Sequence, residues 1–125
     1  VDPTDPADPV LSHLAEHTLM VWLQGTEAHT EDLIRRFDAD PKPMYYEPGF
    51  LRTAWEAYGT ETGQRPDKVD PDAFVRWAFA RALAHRQPRY AAIAERWGLT
   101  IHADTVIGIQ NAAGFEQVIA AALAA

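Results

Sequence analysis

The stretch 70–86, DPDAFVRWAFARALAHR, constrains the fold more than any other part of this chain. Asp70 suits an N-cap, because its carboxylate can accept a free backbone N–H of the first turn. Pro71 then falls at the first helical position, where its missing N–H costs nothing, and Asp72 adds negative charge at the positive end of the helix dipole. At about 100° per residue, Val75, Phe79, Ala82 and Leu83 share one broad face. Phe74, Trp77, Ala78 and Ala84 cover most of the remainder. A helix apolar nearly all the way round is packed between others rather than wet on one side. The expectation is therefore an all-α fold, a compact irregular bundle of roughly five to seven short helices around a central buried helix at about 71–86.

The flanking pattern divides the chain into an acidic Asp/Pro arm over 1–8, disordered or draped on the surface, and a single helical domain over 9–125. Each Asp-Pro pair in the arm pushes its aspartate away from helical backbone angles. Asp8 as cap and Gly25 as stop predict a first helix over 9–24, burying Leu11, Leu14, Thr18, Val21 and Trp22. A second helix starts near Thr30 with an acidic first turn and ends at 38–40. The segment 41–49, PKPMYYEPG, has three prolines that forbid a regular helix, yet is too apolar for a linker. A third helix over 50–58 carries Leu51, Trp55 and Tyr58 in one row, and a polar connection over 59–69 follows. Pro88 is read as ending the central helix and opening another over 88–97, closed by Gly98 as a left-handed cap. Residues 99–101 form an extended linker, followed by a short helix to 109 and a last helix over 115–123.

Composition removes several classes of chemistry. With no cysteine there is no disulfide, thiolate–zinc or iron–sulfur centre and no cysteine nucleophile. Ser12 is the only serine and no G-x-S-x-G occurs, against a serine-hydrolase triad. The net charge of −7, with only Lys42 and Lys68 as lysines, argues against nucleic acid as a partner. Apolar runs are short and broken by charge, so no membrane span is expected. The acidic, Pro-rich start is unlike a signal peptide, which makes a cytoplasmic protein the default, its initiator Met or leader already removed before Val1.

Four constellations remain. His13, Glu16 and His17 match H-x-x-E-H, in which histidines four apart on a helix share a face and can grip one zinc while the glutamate activates water. At those three residues the chain resembles the inverted zinc peptidases; that resemblance implies a third, downstream ligand, for which Glu95 and Glu116 are available. The stretch 91–109 resembles a helix-turn-helix through Ala94 and Gly98, but its second segment has no Arg or Lys for phosphates. Trp77, Arg81 and His85, spaced four apart, offer two donors beside an indole face for a carboxylate or other anion. Met44, Tyr45, Tyr46 and Phe50 combine area with polar handles, as contact surfaces do. Asp67, Asp70 and Asp72 do not make a calcium loop, since the sixth and twelfth positions are Asp72 and Ala78 instead of Gly and Glu.

These readings favour a non-catalytic protein-interaction module, a small accessory or regulatory subunit. It would bind a protein partner, or a second copy of itself, through Met44, Tyr45, Tyr46 and Phe50. No cofactor and no metal is called for. The alternatives are a small-ligand or catalytic helical domain using Trp77, Arg81 and His85, and a zinc hydrolase through His13, Glu16 and His17.

Overall fold

The computed structural model describes residues 2–125. Among them the chain forms α1 (Pro9–His17), β1 (Met20–Gln24), α2 (Glu27–Ala39), α3 (Pro48–Thr62), α4 (Pro71–Trp97), β2 (Gly98–His102) and α5 (Ala112–Ala124), with 3₁₀ turns at Pro66–Lys68 and Ala103–Val106. The fold is mostly helical, with a small two-stranded parallel sheet where an all-α chain was expected. The chain divides into two compact units. One is the chain up to His29 together with Gln87–Ala125; the other is Thr30–Arg86.

In the first unit the Asp-Pro arm is organised by its own carboxylates. Asp8 caps α1: one oxygen accepts from the Val10 N–H at 2.8 Å and the other from the Asp2 N–H at 2.7 Å. The Asp2 carboxylate accepts from the Thr4 N–H and hydroxyl at 2.9 and 2.7 Å. Arg89 donates to the Thr4 carbonyl at 2.8 Å and pairs with Asp2 at 3.4 Å. Helix α1 stops at His17, short of the expected 24, because Thr18 turns to extended angles while its N–H and hydroxyl both close on the Leu14 carbonyl.

Residues 20–24, MVWLQ, then form β1 and pair in parallel with β2, Met20 opposite Gly98 through Gln24 opposite His102. A short apolar run reads equally as strand or buried helix by periodicity, and the partner that decides it lies far along the chain. The expected linker over 99–101 is that partner, with Ile101 buried. Gly98 is not a left-handed cap, since among the described residues only Gly63 and Gly108 have positive φ. Its role is close approach: a Cβ there would overlap the Met20 carbonyl oxygen and stand 2.8 Å from its carbon. Because a strand follows α4, the stretch 91–109 is not a helix-turn-helix. The expected helix after 102 is only the turn Ala103–Val106, and α5 begins at Ala112, where the Asn111 side chain accepts from the Gly114 N–H at 2.9 Å. Helix α5 packs against β2 and that turn.

Other helix boundaries also move; α3 runs to Thr62, past the expected 58. Helix α2 begins at Glu27, ahead of the expected Thr30. Thr26 and His29 cap it reciprocally, the Thr26 N–H donating to His29 Nδ1 at 3.0 Å and the His29 N–H to Thr26 Oγ1 at 3.3 Å. An imidazole here does the work usually given to Glu or Gln in a capping box, so the motif is invisible to a search for those residues. Helix α4 does not break at Pro88 but runs through it to Trp97. Proline leaves the Ala84 carbonyl without its helical donor, at about 3 kcal/mol in a helix interior. Both Ala84 and Pro88 are exposed, so water can satisfy that carbonyl.

In the second unit, Glu47 caps α3 by accepting from the Gly49 and Phe50 N–H groups at 2.8 and 3.0 Å, and Gly63 ends it at φ +66°. Asp70 caps α4 as expected, accepting from the Asp72 N–H at 3.1 Å. Ala54 and Tyr58 of α3 meet Phe74 and Ala78 of α4, with Phe50, Val69 and Trp77 around them; Ala78 is 0% exposed, so the smallest side chain sits at the closest approach. Phe37 of α2 stacks on Phe79 at 4.0 Å. The 71–86 portion of α4 is thus covered by side chains of both α2 and α3. Each aromatic buried there contributes roughly 1.5–3 kcal/mol.

Two outcomes follow. Gly98→Ala should destabilise the protein by about 3 kcal/mol or more, because the new methyl cannot coexist with the Met20–Gly98 pairing; denaturant unfolding measures this. The Asp2 carboxyl is pulled below its usual 3.8: burial opposes the shift, but Thr4 and Arg89 outweigh it. The Asp8 carboxyl is lowered by the Asp2 and Val10 amides. Depressed carboxylates support the fold above the unfolded value and lose that support as pH falls through the folded one. The arm should therefore stay ordered at pH 3.8 and release only below it, followed by the Val10 and Asp2 amide shifts in NMR.

Candidate functional site

Within the second unit, the loop before α3 and the outer face of α3 form one continuous surface. Pro41 and Pro43 keep the loop out of helical geometry. Arg86 holds it from the side, its guanidinium donating to the Tyr45 carbonyl at 2.9 Å. With the backbone held there, the Tyr45 ring stands 66% exposed. Tyr46 turns the other way and stacks on Phe50 at 5.8 Å between ring centres; Phe50 in turn lies 5.1 Å from the His85 ring. The two adjacent tyrosines therefore do different things, one facing solvent and one joining the edge of the core. Met44 is half-buried.

The Tyr46 hydroxyl is buried and has no hydrogen-bond partner among the described residues. Burial pushes this phenol above its ordinary 10.0, with the Arg86 charge acting in the opposite direction. Beside it, Leu51 and Trp55 lie one turn apart on α3 and remain 39% and 38% exposed, although the sequence pattern puts them in one row with Tyr58, which is buried. Trp55 leans edge-on against Phe74 at 5.0 Å, so its ring is oriented but only partly covered. A cleft of about 460 Å³ opens here, lined by Tyr46, Pro48, Leu51, Arg52, Trp55 and Phe74. Trp55, Leu51 and Arg86 were not singled out as site residues from sequence. The available signal was that α3 carries more large apolar residues than one buried face can absorb.

Trp77, Arg81 and His85 do not converge on a shared space. The Arg81 guanidinium lies 4.0 Å over the Trp77 ring and pairs with Glu61 at 2.6 Å, while the Trp77 indole N–H points to the other Glu61 oxygen at 3.5 Å. Glu61 thus already occupies the carboxylate position that these donors define, and an anionic ligand would have to displace it. His85 faces Phe50 instead. The pair is about half-exposed on both sides, so its net stabilisation is no more than about 1 kcal/mol.

In the first unit, His13, Glu16 and His17 sit together on the exposed side of α1, with potential ligand atoms within 4.8 Å of one another. Among the described residues, neither Glu95 nor Glu116 joins that cluster. A separate apolar cavity of about 470 Å³ lies between α1, β1 and the end of α4, with Leu11, Trp22, Tyr90 and Ile93 among its walls. No helix among the described residues is long and apolar enough to cross a membrane. No protein-family model, curated protein or solved structure matches this chain.

The unpartnered Tyr46 hydroxyl makes a direct prediction. Tyr46→Phe should be neutral or stabilising by up to about 1 kcal/mol, since a buried polar group without a partner is removed and the ring stacking is kept. In the unsubstituted protein the folded state holds this phenolic proton longer than the unfolded chain does. Stability should therefore be flat below pH 10 on this account and fall above it, with one tyrosine late to ionise in the 295 nm absorbance titration.

Proposed function

We propose that this chain is a non-catalytic protein-interaction module, an accessory or regulatory subunit. It docks a protein partner through Met44, Tyr45, Tyr46 and Phe50 together with the Leu51–Trp55 face of α3. The observation that carries the reading is the division of labour at the loop. Tyr45 is exposed on a backbone that Arg86 holds, next to a cleft bordered by Trp55. An aromatic ring held in place loses little conformational freedom on binding, and such anchors carry most of the energy at interfaces. The cleft is wide enough for one large apolar side chain of a partner, and Arg52 at its edge suits a carboxylate beside that side chain. The acidic character of the chain, at net −7, disfavours anionic polymers and steers it toward proteins with basic surroundings to the contact. A second copy of the chain, equally acidic, is disfavoured on that ground.

The test is affinity capture from the native cell with the unmodified protein and with Tyr45→Ala, Trp55→Ala and Leu123→Ala. Tyr45→Ala should leave the melting temperature within a degree or two, since surface changes cost about 0.5 kcal/mol or less, and should abolish capture. Trp55→Ala should also lose capture. Leu123→Ala, on α5 and equally apolar, should retain it. Retention of the same partners by Tyr45→Ala and Trp55→Ala overturns the assignment. Sedimentation of the isolated protein separates self-association from a different partner.

A further inference from the structure

The three exposed side chains at the end of α1 have no role in that docking surface and no structural duty of their own. His13 and His17 are four residues apart, so they rise from the same helix face one turn from each other. Their rings lie edge to face with centres 5.1 Å apart. Glu16 stands on the same side, and one ligand atom from each of the three falls within 4.8 Å of the others. We propose that His13, Glu16 and His17 bind a single divalent cation of the zinc class.

The chemistry of the donors selects the ion. Two imidazoles and one carboxylate form a mixed nitrogen and oxygen set, which suits zinc and its first-row neighbours; magnesium and calcium prefer oxygen alone. At metal–ligand distances of about 2.0–2.2 Å, tetrahedral donors stand roughly 3.3 Å apart. Closing the cluster from 4.8 Å therefore requires a shift of the order of 1.5 Å, which is within the reach of side-chain rotation. All three residues are exposed, so that rotation disturbs no packing. Among the described residues, no salt bridge or side-chain hydrogen bond engages any of the three, so binding breaks no hydrogen bond or ion pair and alters only the contact between the two imidazoles.

The backbone helps as well. His17 is the last residue of α1, and the negative end of the helix dipole lies beside it, which favours a cation. Thr18 fixes that end by closing on the Leu14 carbonyl with its N–H at 2.9 Å and its hydroxyl at 2.7 Å, so the two imidazoles project from a held turn. Here Glu16 serves as a ligand. In the peptidase pattern the equivalent glutamate is left free to activate water and a separate residue completes the metal site. Three ligands from one helical turn leave the fourth position facing outward, open to water or to a donor atom from another molecule. The assignment is one of binding and does not depend on the docking reading above, since it uses a different unit of the chain.

The experiment is calorimetric titration of the tag-free chain with zinc chloride, alongside His13→Ala, His17→Ala and Glu16→Gln, and His85→Ala and His102→Ala as controls. The unsubstituted protein should bind one zinc per chain. His13→Ala and His17→Ala should each weaken binding by about tenfold or more, the scale of loss when a metal's surroundings are disrupted. Glu16→Gln should weaken it less, and the two controls should match the unsubstituted protein. Excess magnesium should not compete. Circular dichroism should be unchanged in every variant, since none of the three residues is buried. In parallel, paramagnetic nickel should broaden the NMR signals of His13, Glu16 and His17 first. Absence of one-to-one binding overturns the proposal. So does equal loss in the His85 or His102 controls, or broadening that begins elsewhere.

Discussion

The first unit depends on a single ladder of parallel backbone hydrogen bonds between Met20–Gln24 and Gly98–His102. Parallel strands cannot be joined by a tight turn, so their pairing commits everything between them to be a crossover. Here the crossover holds α2, α3 and the whole of α4. The glycine at the start of β2 follows from this pairing. With the Met20 backbone so close, no side chain fits at position 98. The same ladder ends α1 where it does, because residues 20–24 can satisfy their N–H and C=O groups in a strand only if they leave the helix first.

The second unit is held by a different kind of contact. Its core is a run of aromatic rings meeting edge to face: Trp55 and Tyr58 against Phe74, and Tyr58 against Trp77. Alanines at 54 and 78 let the two helices approach closely enough for those rings to touch. This arrangement leaves Leu51 and Trp55 at the rim, with Tyr45 beyond them on the loop. The candidate docking surface is thus the outer edge of the core itself, which orients its rings without fully covering them. The Arg81–Glu61 pair over Trp77 illustrates the opposite case, a polar cluster whose donors are already met from within the chain.

Much of the helical pattern could be read from residues one or two turns apart. Asp70 and Pro71 start α4, Asp8 and Pro9 start α1, and the prolines at 41 and 43 hold a loop open, all through local rules of capping and backbone angle. The errors share a cause. Local pattern reads residues 20–24 as helix and 98–102 as a cap and linker, yet each becomes a strand only because the other is present. Pro88 was read as a break because the rule concerns the lost hydrogen bond, but here the orphaned carbonyl is at the surface. The His29 cap escaped notice because an imidazole nitrogen accepts as a glutamate would. At the candidate site, Tyr45 and Tyr46 look alike in sequence, and nothing local says which of the two faces water.

By itself the sequence determined that this would be a mainly helical chain without thiol chemistry, that an apolar helix would begin at Asp70, and that His13, Glu16 and His17 would share a face. Those features rest on capping, composition and the helical repeat, which act over a few residues. Only the tertiary structure decided that two distant pentapeptides would pair, that Gly98 would be needed for contact and not for turning, and that Trp55 would stay partly open while Glu61 covered Arg81. Each of these depends on which groups arrive from elsewhere in the chain. A hydrogen bond or a ring contact has no preference until its partner is within reach.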